Sequence, residues 1–147
     1  MENGMKQWAS SYAQMGLRVH PLNGKIPLWK GWPDKATNDL GTVAVVWDAQ
    51  PAANIGVVTG RYGERYLLVI DGDKPHGNNA ADGTATIASW QMIHGAFPET
   101  STAQTAHGGI HYYFWVDSPY RNKTGLYPGV DIRCENSSAE KHEKIFT

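Results

Sequence analysis

The chain has 147 residues, of which 41% are hydrophobic and 18% are charged, and its net charge is −1. This composition predicts one ordinary globular domain, large enough for a proper core, rather than a disordered chain. Because there is no excess of positive charge, a general basic field for nucleic acid is excluded, and any contact with DNA must be local or be supported by another domain.

Cysteine content and hydropathy limit the class of protein further. The single cysteine, Cys134, excludes an internal disulfide framework and a multi-cysteine zinc site. No stretch approaches the roughly eighteen apolar residues of a membrane span, and the N-terminus lacks a signal-peptide pattern. We therefore expect a cytoplasmic protein.

Helical and strand patterns alternate along the first half of the chain, and strands then follow one another. In chain order the predicted elements are a helix over 5–15, a strand over 17–20, a loop over 22–38, a helix from 39 to 47, strands over 54–59 and 66–70, a helix over 85–94, and strands over 101–105, 110–116 and 130–133. Residues 134–147 are polar and without a clear period, which predicts an irregular tail or a frayed helix. This order predicts an α/β (α+β) fold, with a mixed sheet and flanking helices.

Two aspartates end the most apolar predicted strand, Leu67-Leu68-Val69-Ile70-Asp71-Gly72-Asp73. Residues i and i+2 of a strand share a face, so Asp71 and Asp73 present two carboxylates side by side. The two carboxylates repel each other unless a cation lies between them. Mg²⁺ and Mn²⁺ prefer oxygen ligands of this kind. The alternative is a polar turn that leaves the strand, because Asp-Gly is a common turn sequence.

A second candidate segment surrounds a Gly-Gly pair. Gly108 and Gly109 allow backbone amides to approach a ligand, and concave arrangements of amides suit phosphate oxygens. His111 follows two residues later on a predicted strand, where a histidine is otherwise a packed core or surface residue. Asp131 lies near the end of another short strand and by itself indicates nothing.

Several segments, in this order and spacing, resemble one known family. They are Lys25-x-Pro27, Trp32, Ala36-Thr37-Asn38-Asp39, Trp47, the run from Asn54 to Gly60, the run from Val69 to Asp73, Pro98-x-Thr100, the run from Thr105 to Phe114, and the run from Gly129 to Arg133. The family is the N-terminal catalytic (prim-pol) domain of bifunctional DNA primase/polymerases of phage and plasmid replication, within the archaeo-eukaryotic primase superfamily. The resemblance covers residues 5–133, which we take as the catalytic domain, followed by the tail 134–147.

The resemblance implies a primase-like fold whose catalytic half is similar to an RNA-recognition-motif sheet. It implies catalytic and metal-binding roles for Asp71, Asp73 and Asp131, with Mg²⁺ or Mn²⁺ as the cofactor. It further implies that nucleotide is bound by His111 and by the segment with Thr105, Gly108 and Gly109, to which the chemistry of phosphate binding adds Arg133. Trp29 and Trp32 could stack on template bases, although packing of their loop is an equal alternative.

The activity implied is metal-dependent, template-directed nucleotidyl transfer, that is, a DNA primase/polymerase. Its partners would be nucleoside triphosphates, a single-stranded DNA template and a helicase or primase C-terminal region in cis or trans. In the family, a glycine-rich turn and a strand ending in Pro-Pro-Ser follow the third aspartate, whereas here the chain runs into Cys134-Glu135-Asn136 and ends shortly after. This departure predicts impaired turnover. The alternative is a non-catalytic nucleotide- or single-strand-binding remnant, and a third interpretation is a nuclease or glycosyltransferase.

Overall fold

The computed structural model describes residues 4–78, 80–105, 107–135, 138–141 and 145–146. The helices are α1 (Met5–Gln14), α2 (Trp32–Lys35), α3 (Leu40–Ala49) and α4 (Gly83–His94). The strands are β1 (Val19–Asn23), β2 (Ile26–Pro27), β3 (Asn54–Val58), β4 (Gly60–Tyr62), β5 (Arg65–Gly72), β6 (Thr102–Gln104), β7 (Ile110–Val116), β8 (Lys123–Tyr127), β9 (Val130–Arg133), β10 (Ser138–Lys141) and β11 (Ile145–Phe146). These elements form antiparallel sheets with flanking helices, which confirms the predicted mixed α/β fold class.

The elements group into two compact units. The first unit contains α1 to α3 and a four-stranded sheet in the order β10-β3-β1-β2. As predicted, α1 and α3 form, and the Asp39 side chain caps α3 by accepting a hydrogen bond from the Thr42 amide at 2.9 Å. The indole of Trp47 is buried and donates to the Ala53 carbonyl at 3.0 Å. The predicted loop over 22–38 contains the short elements β2 and α2, whose lengths are too small for a periodic signal.

His20, on β1, is a buried histidine in the first unit, and its ring stacks on Trp32 with centroids 4.7 Å apart. Burial lowers the pKa of His20 from 6.5 to about 4, because the charged imidazolium loses its hydration. Between these values the unfolded chain binds a proton that the folded chain does not. The free energy of unfolding is therefore highest above pH 6.5 and falls as the pH decreases toward 4.

We expect this one histidine to account for about 3 kcal/mol of acid destabilisation between pH 7 and pH 4. Urea unfolding across that range should show a smaller decrease for His20→Gln than for the wild-type chain. His94→Gln, which changes an exposed histidine on α4, is the matched control. Parallel pH profiles for wild type and His20→Gln would contradict this assignment.

The second unit is built on a sheet in the order β11-β6-β7-β5-β9-β8, with β4 also paired to β5. The predicted strands β5, β6, β7 and β9 are present, and α4 begins at Gly83 after its cap, Asp82. The Asp82 side chain accepts hydrogen bonds from the amides of Thr84 and Ala85 at 3.1 and 3.2 Å. Helix α4 covers one face of the central strands, and its Ile87 side chain lies directly over Gly72.

The segment 134–147, for which irregular structure is expected from the sequence, contains two short strands. β10 pairs antiparallel with β3 in the first unit, and β11 pairs antiparallel with β6 in the second. The remaining residues of this segment after Glu135 lie outside the described part of the chain. Pairing with an existing strand edge, rather than a local pattern, makes these residues extended, which is why periodicity does not reveal them.

Among the described residues, α1 to α4 are all too short, and not apolar enough, for a helix that crosses a membrane. The predicted similarity to an RNA-recognition-motif sheet stays a prediction.

Candidate metal centre

Strands β7, β5 and β9 are neighbours in the sheet, and they place His111, Asp71 and Asp131 in one row. Asp71 on β5 lies directly opposite His111 on β7 and, on its other side, directly opposite Asp131 on β9. Directly opposed residues of an antiparallel ladder point to the same face of the sheet. The register therefore places the three side chains together, although 60 residues separate Asp71 from Asp131 in the sequence.

Asp71, Asp73 and Asp131 form a compact carboxylate cluster. One oxygen from each lies within 4.8 Å of the other two, and all three residues are half-buried. Three negative charges at this separation repel one another strongly unless a cation joins them. Carboxylate oxygens are the ligands that hard divalent cations prefer, so the three side chains could bind such an ion, in line with the predicted Mg²⁺ or Mn²⁺.

The β8–β9 hairpin holds Asp131 in position. The backbone amide of Gly125 donates a hydrogen bond to Asp131 Oδ1 at 2.8 Å, and Arg133 Nη2 lies 3.8 Å from Oδ2. The pairing of β8 with β9 is irregular between Lys123 and Tyr127, which lets Gly125 reach back to the carboxylate. Strand β8 was not predicted, although the Pro128-Gly129 turn that joins it to β9 is a recognisable sequence signal.

Asp73 is fixed through its backbone. Its amide donates to the Gly129 carbonyl at 2.9 Å, and its carbonyl accepts from the Gly83 amide at 2.6 Å. These bonds join the end of β5, the start of α4 and the turn before β9. Gly83 and Gly129 touch so closely that a methyl group on Gly83 would lie 1.9 Å from the Gly129 carbonyl oxygen. The sequence does not predict this contact, because Gly83 begins α4 and Gly129 lies in the distant turn before β9.

His111 is buried between Asp71 and Tyr113. Its Nε2 lies 3.2 Å from Asp71 Oδ1, and its Nδ1 lies 3.4 Å from the Tyr113 hydroxyl. Nε2 therefore faces the Asp71 carboxylate, and Nδ1 faces the Tyr113 hydroxyl. Since both ring nitrogens have partners, a direct contact with nucleotide requires His111 to exchange one of them.

The Gly-Gly segment lies against the end of β5. The Thr105 amide donates to the Gly109 carbonyl at 3.0 Å, and the Gly108 amide donates to the Thr105 carbonyl at 3.1 Å. A methyl group on Gly109 would lie 2.6 Å from the Gly72 carbonyl oxygen, so only glycine permits this approach. The segment predicted to bind nucleotide is thereby brought beside Asp73, while Ala106 within it lies outside the described residues.

Lys74 is a neighbour of this site that the sequence analysis did not select. A methyl group on Gly108 would lie 3.7 Å from Lys74 Cγ, and Lys74 Nζ lies 3.6 Å from Asp82 Oδ2. Its position directly after Asp71-Gly72-Asp73 in the sequence could have indicated a role at this site. Lys25, Trp29 and Trp32 belong to the first unit, where the stacking of Trp32 on His20 supports the packing interpretation of their loop.

One family model matches the chain, and it covers residues 9–139. Its description is "Bifunctional DNA primase/polymerase, N-terminal", and the matched region contains the three aspartates, His111 and the Gly-Gly segment. No curated protein matches the chain. The resemblance predicted from motif order is confirmed: the chain belongs to the bifunctional DNA primase/polymerase N-terminal family.

Proposed function

We propose that this chain is a metal-dependent nucleotidyltransferase that makes or extends primers on single-stranded DNA. The main support is the convergence of Asp71, Asp73 and Asp131 within 4.8 Å, since the two halves of this cluster come from strands far apart in the sequence. Family membership supports the same chemistry. We further propose that the setting is phage or plasmid replication in the cytoplasm.

Each acidic residue has a defined part in this proposal. Asp71 and Asp131 extend from adjacent strands, and Asp73 completes the ligand set from the end of β5. The three carboxylates would hold Mg²⁺ or Mn²⁺, and the charge of the ion would activate the primer hydroxyl and neutralise the pyrophosphate leaving group. His111 orients the Asp71 carboxylate through the 3.2 Å contact. This positioning role is separate from its predicted contact with nucleotide.

Phosphate oxygens have three candidate partners around the carboxylates. Arg133 lies on β9 two residues from Asp131 and therefore on the same face of the sheet. The Gly-Gly segment and Lys74 lie on the opposite side of the site, beside Asp73. Cations on two sides of the carboxylate cluster are suited to a triphosphate. In the Gly-Gly segment the Thr105 and Gly108 amides already donate to backbone carbonyls, so they would have to exchange these bonds to bind phosphate.

We expect Arg133→Gln to weaken nucleotide binding about tenfold in the presence of Mn²⁺, because a charge-assisted hydrogen bond to phosphate is lost. Arg121→Gln removes the same charge from an exposed position of the same unit and should leave the affinity unchanged. Calorimetric titration of dATP into the two variants measures the difference. Equal losses in both would assign the effect to net charge rather than to a phosphate contact.

Primer extension tests the proposed reaction. A labelled primer annealed to a longer template is incubated with the chain, deoxynucleotides and Mn²⁺, and we expect extension that follows the template sequence. Shortening of the primer would instead indicate a nuclease, and transfer from a nucleotide sugar would indicate a glycosyltransferase.

The rival proposal is a nucleotide- or single-strand-binding remnant without turnover. The net charge of −1 favours it, because a polymerase needs a sustained grip on nucleic acid. Under our proposal a helicase or primase C-terminal region, in cis or in trans, supplies the additional affinity for nucleic acid. Metal-dependent nucleotide binding without any extension, even when such a region is added, would support the remnant.

A further inference from the structure

We propose that Tyr62, Arg65 and Trp115 form a stacking platform that holds the single-stranded template beside the metal centre. This inference rests on the proposed function and assigns a place to one of its substrates. The three residues come from β4, β5 and β7 and meet at the end of the sheet away from Asp73.

The platform is a packed aromatic and cationic cluster at the surface. The Arg65 guanidinium carbon lies 3.9 Å from the centroid of the Trp115 ring, and Tyr62 meets the same ring edge-on with centroids 5.3 Å apart. Although it carries these contacts, Trp115 remains 37% exposed, and Arg65 is exposed. A large aromatic ring that packs against its neighbours and is still partly exposed can stack with a planar ring of a ligand.

Strand register places the platform on the same face as the carboxylates. Arg65 and Asp71 are six residues apart on β5, and even spacing on a strand means a shared face. Trp115 lies opposite Leu67, just as His111 lies opposite Asp71, and Tyr62 lies opposite Arg65. The distance from Leu67 to Asp71 is about 13 Å along the strand. Because Val69 and Tyr113 between them are buried, the template would contact this face at its two less buried ends, the platform and the carboxylates.

The chemistry of the cluster fits single-stranded DNA. Bases stack on aromatic rings regardless of sequence, and an adjacent arginine attracts the phosphate backbone. Such local contacts are what a chain of net charge −1 requires if it is to follow a template. Arg65 in the cluster is charged and exposed, which favours a nucleic-acid partner over the apolar surface that a protein partner buries.

The test is fluorescence anisotropy of a labelled twelve-nucleotide oligo(dT), with an oligonucleotide of equal length and charge whose central bases are abasic. We expect Trp115→Leu to weaken binding of oligo(dT) about tenfold and to remove the preference for intact over abasic DNA. Arg65→Ala should also weaken binding and should reduce its salt dependence. Arg61→Ala, the matched control, removes the same charge from the same hairpin on the opposite face and should have little effect.

Unchanged affinity in both Trp115→Leu and Arg65→Ala would overturn the platform, as would equal binding of intact and abasic DNA by the wild-type chain. Loss of a dimer in Trp115→Leu, measured by sedimentation, with unchanged DNA binding would reassign the cluster to self-association. Metal-dependent binding of dATP is measured on the same samples. If dATP binding persists while no protein binds DNA, the platform fails but the nucleotide site stands; if DNA binds through Trp115 without dATP binding, the proposed catalytic function fails instead.

Discussion

Replacing both Asp71 and Asp73 with asparagine is expected to abolish the stabilisation that Mn²⁺ gives to the folded chain. A ligand that binds only the folded state stabilises it by about 3 kcal/mol when present at about one hundred times its dissociation constant. The wild-type cluster offers three carboxylates within 4.8 Å, whereas the variant retains only Asp131. Asparagine is preferred to alanine because it keeps the size of the side chain and a polar oxygen beside His111 Nε2, which lies 3.2 Å from Asp71 Oδ1.

Thermal unfolding with EDTA and with Mn²⁺ measures this effect. In EDTA the variant should be as stable as the wild type or slightly more stable, because two repelling charges are removed. Asp117→Asn is the control, since Asp117 is an exposed aspartate of the same unit. Collapse of the variant in EDTA would mean that the aspartates are structural. An undiminished response to Mn²⁺ would place the metal elsewhere.

Gly129→Ala is expected to destabilise the second unit strongly. A methyl group at this position would lie 2.4 Å from the Gly83 nitrogen, and the left-handed φ of +75° is itself unfavourable for alanine. Relief of the clash requires the turn before β9 to move away from α4, which breaks the hydrogen bond that Gly129 accepts from the Asp73 amide. Strain and overpacking together should cost about 3 kcal/mol or more.

Gly63→Ala separates these two causes. Gly63 has a similar φ of +65°, but a methyl group there has no neighbour within 4 Å, so only the conformational cost of about 1 kcal/mol applies. Urea unfolding of the two variants gives the difference, and Mn²⁺ stabilisation reports whether the carboxylate cluster survives. Equal losses in both variants would show that the Gly83–Gly129 contact is not a tight one in solution.

The carboxylate cluster could be predicted in part, because strand pattern and residue type agree at Asp71. An apolar run that ends in Asp71-Gly72-Asp73 predicts a buried strand, and β5 forms over Arg65–Gly72 with Asp73 just beyond its end. The contribution of Asp131 could not be derived locally, because only the pairing of β9 with β5 brings it opposite Asp71. Family resemblance supplied that assignment in advance.

The residues that hold the three aspartates in place were less predictable than the aspartates themselves. Strand β8 is largely exposed and lacks an alternating pattern, so nothing local distinguishes it from a loop. Its amide at Gly125 nevertheless fixes Asp131. The contact between Gly83 and Gly129 forms only where the start of α4 meets the turn before β9. Contacts that hold the aspartates in place depend on tertiary packing, and sequence periodicity carries no information about them.

His111 illustrates the same limit for side-chain roles. Its position two residues after Gly109 is consistent with a nucleotide contact, which stays a prediction. Only the structure gives the competing partners, with Asp71 at 3.2 Å from Nε2 and Tyr113 at 3.4 Å from Nδ1. Sequence spacing specifies which strand face a residue occupies, but not which neighbour its ring nitrogens reach.

Calorimetric titration of dATP into the wild-type chain, with Mn²⁺ and again with EDTA, tests most directly whether the carboxylate cluster is a metal-dependent nucleotide site. We predict one nucleotide bound per chain in Mn²⁺ and no detectable heat in EDTA. The Asp71→Asn/Asp73→Asn variant should bind nothing in either buffer. Equal binding with and without metal, or binding that survives in the variant, would contradict the assignment of these three aspartates.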